Sequence, residues 1–210
     1  MLSFHNFSKS YNGQLVLSIN HLTLTPGIYW VRGENGSGKS TLFKSLAGLQ
    51  PFDGEIEFDD TIRIKKHPVD FRKRVNYSEA EPVFPGFLTS KDLIQFIGKI
   101  KESSQQQQDH YTDQFGIRSF LDKPCDAYSS GMMKKLSLAL AFLGTPKVII
   151  LDEPLITLDE QTRAILITLI KEANEKNDII TLLSSHQSLD LPNLHITKAF
   201  EIREKKLTAL

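Results

Sequence analysis

The sequence has few of the features that mark secreted, membrane-spanning or nucleic-acid-binding proteins. Its one cysteine, Cys125, excludes a disulfide within the chain, which is typical of a reducing compartment. No charge-free run approaches the roughly 18 apolar residues of a transmembrane helix. Met1–His5 show no basic start before an apolar stretch, so we expect no signal peptide. Basic and acidic residues balance at 25 each, which argues against a broad nucleic-acid or anionic-membrane surface.

What the sequence does contain is a glycine-rich loop of the phosphate-binding type. Residues 33–41 fit the pattern G-x-x-x-x-G-K-[ST] through Gly33, Gly38, Lys39 and Ser40. Glycines let backbone amides approach an anion, and the following helix directs its positive end to the same place. Lys39 would neutralise β- and γ-phosphate charge, and the Ser40 hydroxyl could ligate Mg²⁺. The contacts predicted from this loop are Gly33, Asn35, Gly36, Ser37, Gly38, Lys39, Ser40 and Thr41.

The residues on either side of this loop have the order that phosphate binding requires. An apolar run at 27–31 predicts a buried strand before the loop, and 40–49 carry an apolar helical face after it. The alternative is a glycine-rich turn that binds nothing. The order of strand, loop and helix favours phosphate binding.

A second chemical signal is a pair of acids, Asp152 and Glu153, directly after the apolar run 148–151. Such a run predicts a parallel strand buried on both faces. Acids at its carboxyl end would lie at the sheet edge where ligands bind. Asp152 would hold Mg²⁺, and Glu153 would polarise the water that attacks a γ-phosphorus. The alternative is an ordinary strand end with two solvated acids.

Strands alternate with helical patterns along the chain, which predicts an α/β fold with a mainly parallel sheet. Short alternating strands near both termini predict an added antiparallel layer. We interpret the charged stretch 63–74 as a surface connection, and the polar tract 103–108 as a solvated helix end or a linker. With 210 residues, the chain has length for one large domain or two small ones.

A third element, residues 128–132, starts a predicted helix, and with it the sequence resembles the ATP-binding cassette (ABC) ATPases. The signature of that family, Leu-Ser-Gly-Gly-Gln, lies between the phosphate loop and the acidic strand. Ser129 and Gly131 match it, whereas Tyr128, Ser130 and Met132 do not. The alternative for Ser129 is an ordinary helix N-cap without a ligand.

The resemblance extends from Tyr11 to His186. It implies that Tyr11 stacks on adenine, that His186 contacts the γ-phosphate, and that Asp159 belongs to the loop after the acidic strand. The sequence departs from the family near Ala80, where a glutamine is usual. Glu81, at the neighbouring register, is the candidate substitute as a ligand for metal or water.

For the fold and the chemistry, the resemblance implies a P-loop NTPase that binds ATP and Mg²⁺ and hydrolyses ATP. Residues 1–210 would form one ABC ATPase domain. Its ATP-binding core would comprise about 1–78 and 145–210, with an inserted helical subdomain at about 79–144. The catalytic residues would be Lys39, Glu153 and His186, and the metal ligands Ser40 and Asp152.

For the assembly, the resemblance implies that two ABC subunits sandwich two ATP molecules head to tail, as a homodimer or as a pair of sister chains. Ser129 and Gly131 of each would complete the site of the other. A separate transmembrane permease would dock on the helical segment 87–121, so the protein would be cytoplasmic and peripheral on the inner face of the membrane. We expect no nucleic-acid partner. A translation or DNA-repair ATPase of the same family and a regulator that binds ATP without turnover are the alternatives.

Overall fold

The computed structural model describes residues 1–185 and 194–210, whose strands form one ten-stranded mixed sheet. The strands are β1 Leu2–Tyr11, β2 Gln14–Leu24, β3 Gly27–Arg32, β4 Asp53–Phe58, β5 Ile62–Arg63, β6 Val75–Ser78, β7 Val148–Leu151, β8 Ile180–Ser185, β9 Lys198–Arg203 and β10 Lys206–Ala209. The α-helices are α1 Lys39–Leu46, α2 Pro68–Arg74, α3 Ser90–Ile100, α4 Gln105–Gln114, α5 Ser130–Ala141 and α6 Glu160–Asn177.

The sheet has the order β5-β4-β1-β2-β10-β9-β3-β8-β7-β6. Its β9-β3-β8-β7-β6 part is parallel, with β3 between β8 and β9. The strands β5, β4, β1 and β2 pair antiparallel. One parallel bridge, between Lys206 and Ser18, joins this antiparallel part to the C-terminal hairpin β9–β10. The predicted α/β fold with an antiparallel N-terminal layer is therefore confirmed, and the two parts share one sheet.

The two faces of the parallel strands belong to two apolar cores. Ile150 and Leu182 point into the core that contains α1, whereas Ile149 and Leu183 point into the core that contains α5 and α6. Successive side chains of a strand alternate between faces, so a strand covered on both faces must be apolar throughout. This is why all four residues of β7 are buried.

The stretch 63–74 connects β5 to β6 and exposes most of its Lys and Arg side chains, but it also contains a helix that the sequence analysis did not predict. This helix, α2, begins at Pro68 and fully buries Phe71 against Phe58, with ring centroids 4.7 Å apart. The polar tract 103–108 lies at a helix end and is largely exposed, so the prediction of a solvated helix end is confirmed. The helix is α4, whose N-cap Ser104 accepts a hydrogen bond from the Gln107 backbone amide at 3.2 Å. The buried Phe71 ring stabilises α2 and the Ser104 cap stabilises α4, although most of the residues around them are polar.

Three helices, α3 to α5, lie in the chain between β6 and β7, although these two strands are direct neighbours in the sheet. Over 1–185 and 194–210, no helix combines the length and the apolar character that crossing a bilayer requires. The carboxyl ends of β3, β6, β7 and β8 meet at one edge of the sheet, where the candidate site lies.

Candidate active site

The glycine-rich loop connects the end of β3 to the start of α1. Gly36 and Gly38 have φ values of 79° and 111°, a region that side chains with a Cβ rarely adopt. Gly38 is the N-cap of α1 and provides no side-chain cap, so the first-turn amides of the helix have no side-chain acceptor there. The loop thus offers backbone donors and the positive end of a helix to an anion.

The Lys39 side chain, at the start of α1, turns back against the preceding residues of the glycine-rich loop. This side chain is nearly buried, and its ammonium group donates to the carbonyl oxygens of Gly33 at 2.7 Å and Glu34 at 3.2 Å. The Glu153 carboxylate lies 3.8 Å from the same ammonium group. A compact buried charge with these neighbours is well placed to exchange carbonyl oxygens for phosphate oxygens.

The acidic pair follows β7, and Ser184 at the end of β8 orients both residues. The Ser184 hydroxyl donates to Asp152 Oδ1 and accepts from the Glu153 backbone amide at 2.8 Å. The Tyr77 hydroxyl donates to Asp152 Oδ2 at 3.3 Å. Burial raises the pKa of Tyr77, and the Asp152 carboxylate raises it further, so this hydroxyl stays protonated. Asp152, itself 1 % exposed, is therefore held by two hydroxyl donors.

One cavity of about 440 Å³ joins the glycine-rich loop to the acidic strand end. Of the predicted site residues it brings together Asn35, Gly36, Gly38, Lys39, Ser40, Thr41 and Glu153, and Ala80, Glu81 and Ile156 complete its lining. Gly33 and Ser37 instead border a cavity of about 660 Å³ on the side of the C-terminal hairpin, which Asn35 and Gly36 also line. The first cavity is the candidate site, because backbone donors, a lysine and a carboxylate converge on it.

The predicted Mg²⁺ ligands have suitable chemistry. Mg²⁺ in phosphate sites usually takes one or two carboxylates, with phosphates and water completing an all-oxygen shell. Ser40 lines the cavity, and Asp152, which does not line it, directly precedes the lining residue Glu153 and is held by the Ser184 hydroxyl. These two oxygen donors fit the ion, while the other ligands would come from phosphate and water.

Besides Gly33, Ser37 and Asp152, three further predicted site residues do not line the 440 Å³ cavity. Ser129 is the N-cap of α5, its hydroxyl accepting from the Met132 amide at 3.2 Å, and Gly131 lies in the first turn of that helix beside Thr157. The Tyr11 ring is 46 % exposed, and its hydroxyl donates to Gln50 at 2.7 Å. A fourth predicted residue, His186, lies outside the described residues.

Sequence reasoning missed three side chains at the site, Tyr77, Ser184 and Lys134. Ser184 was visible as the first polar residue after an apolar strand. Lys134 is 1 % exposed, and its ammonium group donates to the carbonyl oxygens of Glu79, Ala80 and Asp152. Burial lowers its pKa to about 8, and nearby carboxylates partly oppose this effect. The available signal was a polar face on α5, with Lys134 three residues before Ser137.

Comparison with known proteins identifies the family. The family model described as "ABC transporter" matches residues 18–156. The cytochrome c biogenesis ATP-binding export protein CcmA of Legionella pneumophila is 31 % identical over 193 residues, covering 91 % of this chain and 95 % of the relative. The ABC transporter ATP-binding protein YtrB of Bacillus subtilis is 28 % identical over 197 residues, which cover 92 % of this chain and 66 % of the relative. A putative ABC transporter ATP-binding protein of Mycoplasma pneumoniae is 31 % identical over 166 residues, covering 77 % and 50 %.

Solved structures of this class share the fold. The chain aligns over its whole length with 90 % of an ATP-binding subunit of an ABC transporter, at a TM-score of 0.88 and 24 % identity. A second solved structure is an ATP-binding cassette described as a dimeric post-hydrolysis state bound to ADP and Pi. The whole of this chain aligns with 99 % of that cassette, at a TM-score of 0.82 and 18 % identity. The chain belongs to the ABC transporter family and is an ATP-binding cassette ATPase. It spans half to two thirds of the Mycoplasma and Bacillus relatives.

Proposed function

We propose that this protein is the nucleotide-binding subunit of an ABC transporter and that it binds ATP·Mg²⁺ and hydrolyses ATP in the 440 Å³ cavity. The observation that carries the proposal is the convergence of the glycine-rich loop and Glu153 on this one cavity. The chain would be one ABC ATPase domain, with an ATP-binding core at about 1–78 and 145–210 and a helical subdomain at about 79–144.

Each residue of the cavity has a role in the proposed mechanism. The loop amides and Lys39 would bind the β- and γ-phosphates, and Lys39 would leave the carbonyl oxygens of Gly33 and Glu34 to do so. Mg²⁺, held by Ser40 and Asp152, would supply positive charge to the phosphate oxygens. Glu153 would orient the attacking water and accept its proton. His186 would contact the γ-phosphate, and Tyr11 would stack on adenine.

The subunit would act as a nucleotide-dependent dimer. Ser129 and Gly131 do not line the cavity, which supports a role for them in the site of a second subunit. The related cassette whose structure is described as dimeric also supports this arrangement. Loss of the bridging γ-phosphate would let the two subunits separate, so hydrolysis would bias a two-state assembly. The second subunit would be another copy of this chain or a sister chain.

The test of the proposed chemistry combines phosphate release with gel filtration. The purified protein should release phosphate from ATP when Mg²⁺ is present and not in a chelator. Glu153→Gln should bind ATP, stall before hydrolysis and elute as a dimer with ATP, because the carboxylate that accepts the proton is gone. If Glu153→Gln hydrolysed ATP like the parent protein and stayed monomeric, the assignment of Glu153 would be wrong.

The membrane partner would dock on a surface formed partly by the predicted helical subdomain. A groove of about 550 Å³ runs between the loop 82–84, α2 and α3, and its lining is mostly apolar. Val83 is 86 % exposed there. An exposed apolar groove of this size is suited to a helix or loop from another protein. We propose that a cytoplasmic segment of a permease occupies it, which would place this subunit on the inner face of the membrane.

Variants of two exposed apolar residues can distinguish docking in this groove from docking on the outer face of α3. Val83 lines the groove, whereas Phe96 on α3 is 62 % exposed and does not. Val83→Asp should prevent co-purification with a polytopic membrane protein in mild detergent and leave the ATPase activity of the free subunit unchanged. Phe96→Asp should retain the partner. The reverse result would move the docking site to α3, and recovery of ribosomes or DNA would favour a translation or DNA-repair role.

A further inference from the structure

A row of polar contacts joins strand β6 and the loop after it to helix α5 and the residues that follow the helix. The Asn76 amide donates to the carbonyl oxygens of Ala141 and Leu143 at 2.9 and 2.8 Å. The hydroxyls of Ser78 and Ser137 share a hydrogen bond of 2.9 Å. The row ends with Lys134, at the end of β6 that faces the active site. Its members are all buried, so α5 is held to β6 in one register.

The Lys134 ammonium group bridges two segments that the sheet no longer connects. The last backbone hydrogen bond between β6 and the chain after β7 runs from the Asp152 amide to the Ser78 carbonyl oxygen, at 2.9 Å. After this pair of residues, no backbone hydrogen bond joins the two segments in the described part of the chain. Lys134 donates to Glu79 and Ala80 on one side, at 2.7 and 3.3 Å, and to Asp152 on the other, at 2.8 Å.

All three donors of this ammonium group have acceptors, so the buried charge is fully hydrogen-bonded. Removing such a group leaves several buried carbonyl oxygens without a partner, which is costly where water cannot replace it. The charge also lies near the carboxylates of Asp152, Glu153 and Glu79. Lys134 itself does not line the cavity, so it would act through the segments that it holds.

Those two segments carry groups of the active site. Asp152 is the proposed Mg²⁺ ligand, and Glu81, one residue beyond Ala80, lines the cavity. The opposite end of β6 has a matched lysine without this connection. The Lys101 ammonium group donates to the carbonyl oxygens of Arg72 and Val75 at 2.6 and 2.9 Å, and it too is largely removed from solvent.

We propose that Lys134 is a positioning residue for ATP hydrolysis, which holds the loop 79–81 and the backbone of Asp152 at the separation that the reaction requires. This inference rests on the proposed function. It also gives α5 a direct link to the acidic strand end, so the helix that begins at Ser129 and the Mg²⁺ side of the site would move as one unit. The loop that departs from the family pattern is thereby fixed through the backbone carbonyl oxygens of Glu79 and Ala80.

The test compares Lys134→Met with Lys101→Met. Each variant loses a lysine that caps backbone carbonyl oxygens at one end of β6, so both should lower the melting temperature. Lys134→Met should lower kcat by ~10-fold to ~100-fold with the KM for ATP within ~3-fold, because small displacements of reacting groups slow the chemistry more than binding. Lys101→Met should keep kcat within ~2-fold of the parent protein, because its partners lie outside the site.

Two further measurements separate positioning from a general loss of structure. Amide hydrogen exchange of loop 79–81, recorded without nucleotide, should accelerate in Lys134→Met and not in Lys101→Met. Lys134→Gln, which retains two N–H donors, should recover part of the lost kcat.

Equal kcat losses in the two methionine variants would overturn the proposal, as would a glutamine variant no better than the methionine one. If the parent protein hydrolysed no ATP, the proposed function itself would fail. An active parent protein with an equally active Lys134→Met would refute only the role of Lys134.

Discussion

The two ends of the parallel strands use similar hydrogen-bonded polar side chains for different purposes. At the amino end, Lys101 caps the carbonyl oxygens of Arg72 and Val75, and the Gln107 side chain bonds both backbone groups of Gly144. At the carboxyl end, Lys39 caps the carbonyl oxygens of its own loop. A lysine that caps backbone carbonyl oxygens and is largely withdrawn from solvent is therefore not by itself a mark of function.

What differs is the neighbourhood of the capped groups. Lys39 lies beside glycines that expose backbone donors, and it shares a cavity with Glu153. Its carbonyl partners can be replaced by the more strongly attracting phosphate oxygens. The acceptors of Lys101 are backbone groups at the junction of α2 and β6, away from the acidic pair. The comparison teaches that exchangeable partners, more than burial, distinguish a binding lysine from a structural one.

The largest effect is expected from Lys39→Ala. Removing a buried charge that binds phosphate should weaken ATP binding at least ~100-fold, about 3 kcal/mol. Lys101→Ala at the other end of the sheet is the control and should bind ATP like the parent protein. Isothermal titration with ATP·Mg²⁺ measures both. Undiminished binding by Lys39→Ala would remove the distinction drawn between the two lysines.

Ser184→Ala should give the next largest effect, because it removes one donor to Asp152 and the acceptor of the Glu153 amide. We expect a ~10-fold loss of kcat and a stability loss of about 1–3 kcal/mol. The control is Thr181→Val on the same strand, whose hydroxyl accepts from Asn174 at 2.8 Å near the amino end. It should lose stability and keep its kcat. Steady-state kinetics and urea unfolding would detect the opposite pattern.

Ser129→Ala tests whether a helix cap also serves a second subunit. Ser129 and Ser104 cap α5 and α4 in the same way, each accepting from the backbone amide three residues later at 3.2 Å. Replacing either by alanine should reduce stability by about 1 kcal/mol. Only Ser129→Ala should also lower the ATPase rate, by a few-fold, and weaken the ATP-dependent dimer in gel filtration. Equal ATPase rates in the two variants would reduce Ser129 to an ordinary cap.

The smallest expected effect is on the pH dependence of the free energy of unfolding, and it concerns Lys101 at the amino end of β6. Burial lowers the pKa of Lys101 to about 8, whereas a lysine in an unfolded chain titrates near 10.4. Between these values the unfolded chain binds a proton that the folded chain has released, so the contribution of Lys101 to the free energy of unfolding rises with pH. The urea midpoint should therefore increase between about pH 7.5 and about pH 9.5, and this increase should be smaller in Lys101→Met than in the parent protein. Identical pH dependences would mean that Lys101 titrates normally in the folded protein.

Local patterns were enough to predict the fold class and much of the secondary structure. The β7 run is apolar throughout because both faces of the strand are covered, so its burial was readable from four residues. The cap at Ser129 was also readable, since its side chain accepts from an amide three residues away, as the side chains of Thr89 and Asp159 do at the starts of α3 and α6. The helix α2, which the sequence analysis did not predict, depends on Phe71 packing against Phe58 of β4.

The sequence alone determined the family and the chemical identity of the candidate site, because a phosphate loop depends on residues adjacent in the chain. Only the tertiary structure decided which side chains support that site. Lys134 is separated by 18 residues from Asp152 and by 55 from Glu79, and Ser184 is 31 residues from Glu153. Their roles follow from the parallel pairing of β6, β7 and β8 and from the position of α5 against the sheet. Contacts of this kind have no local pattern, because the fold and not the chain sets the distance between their partners.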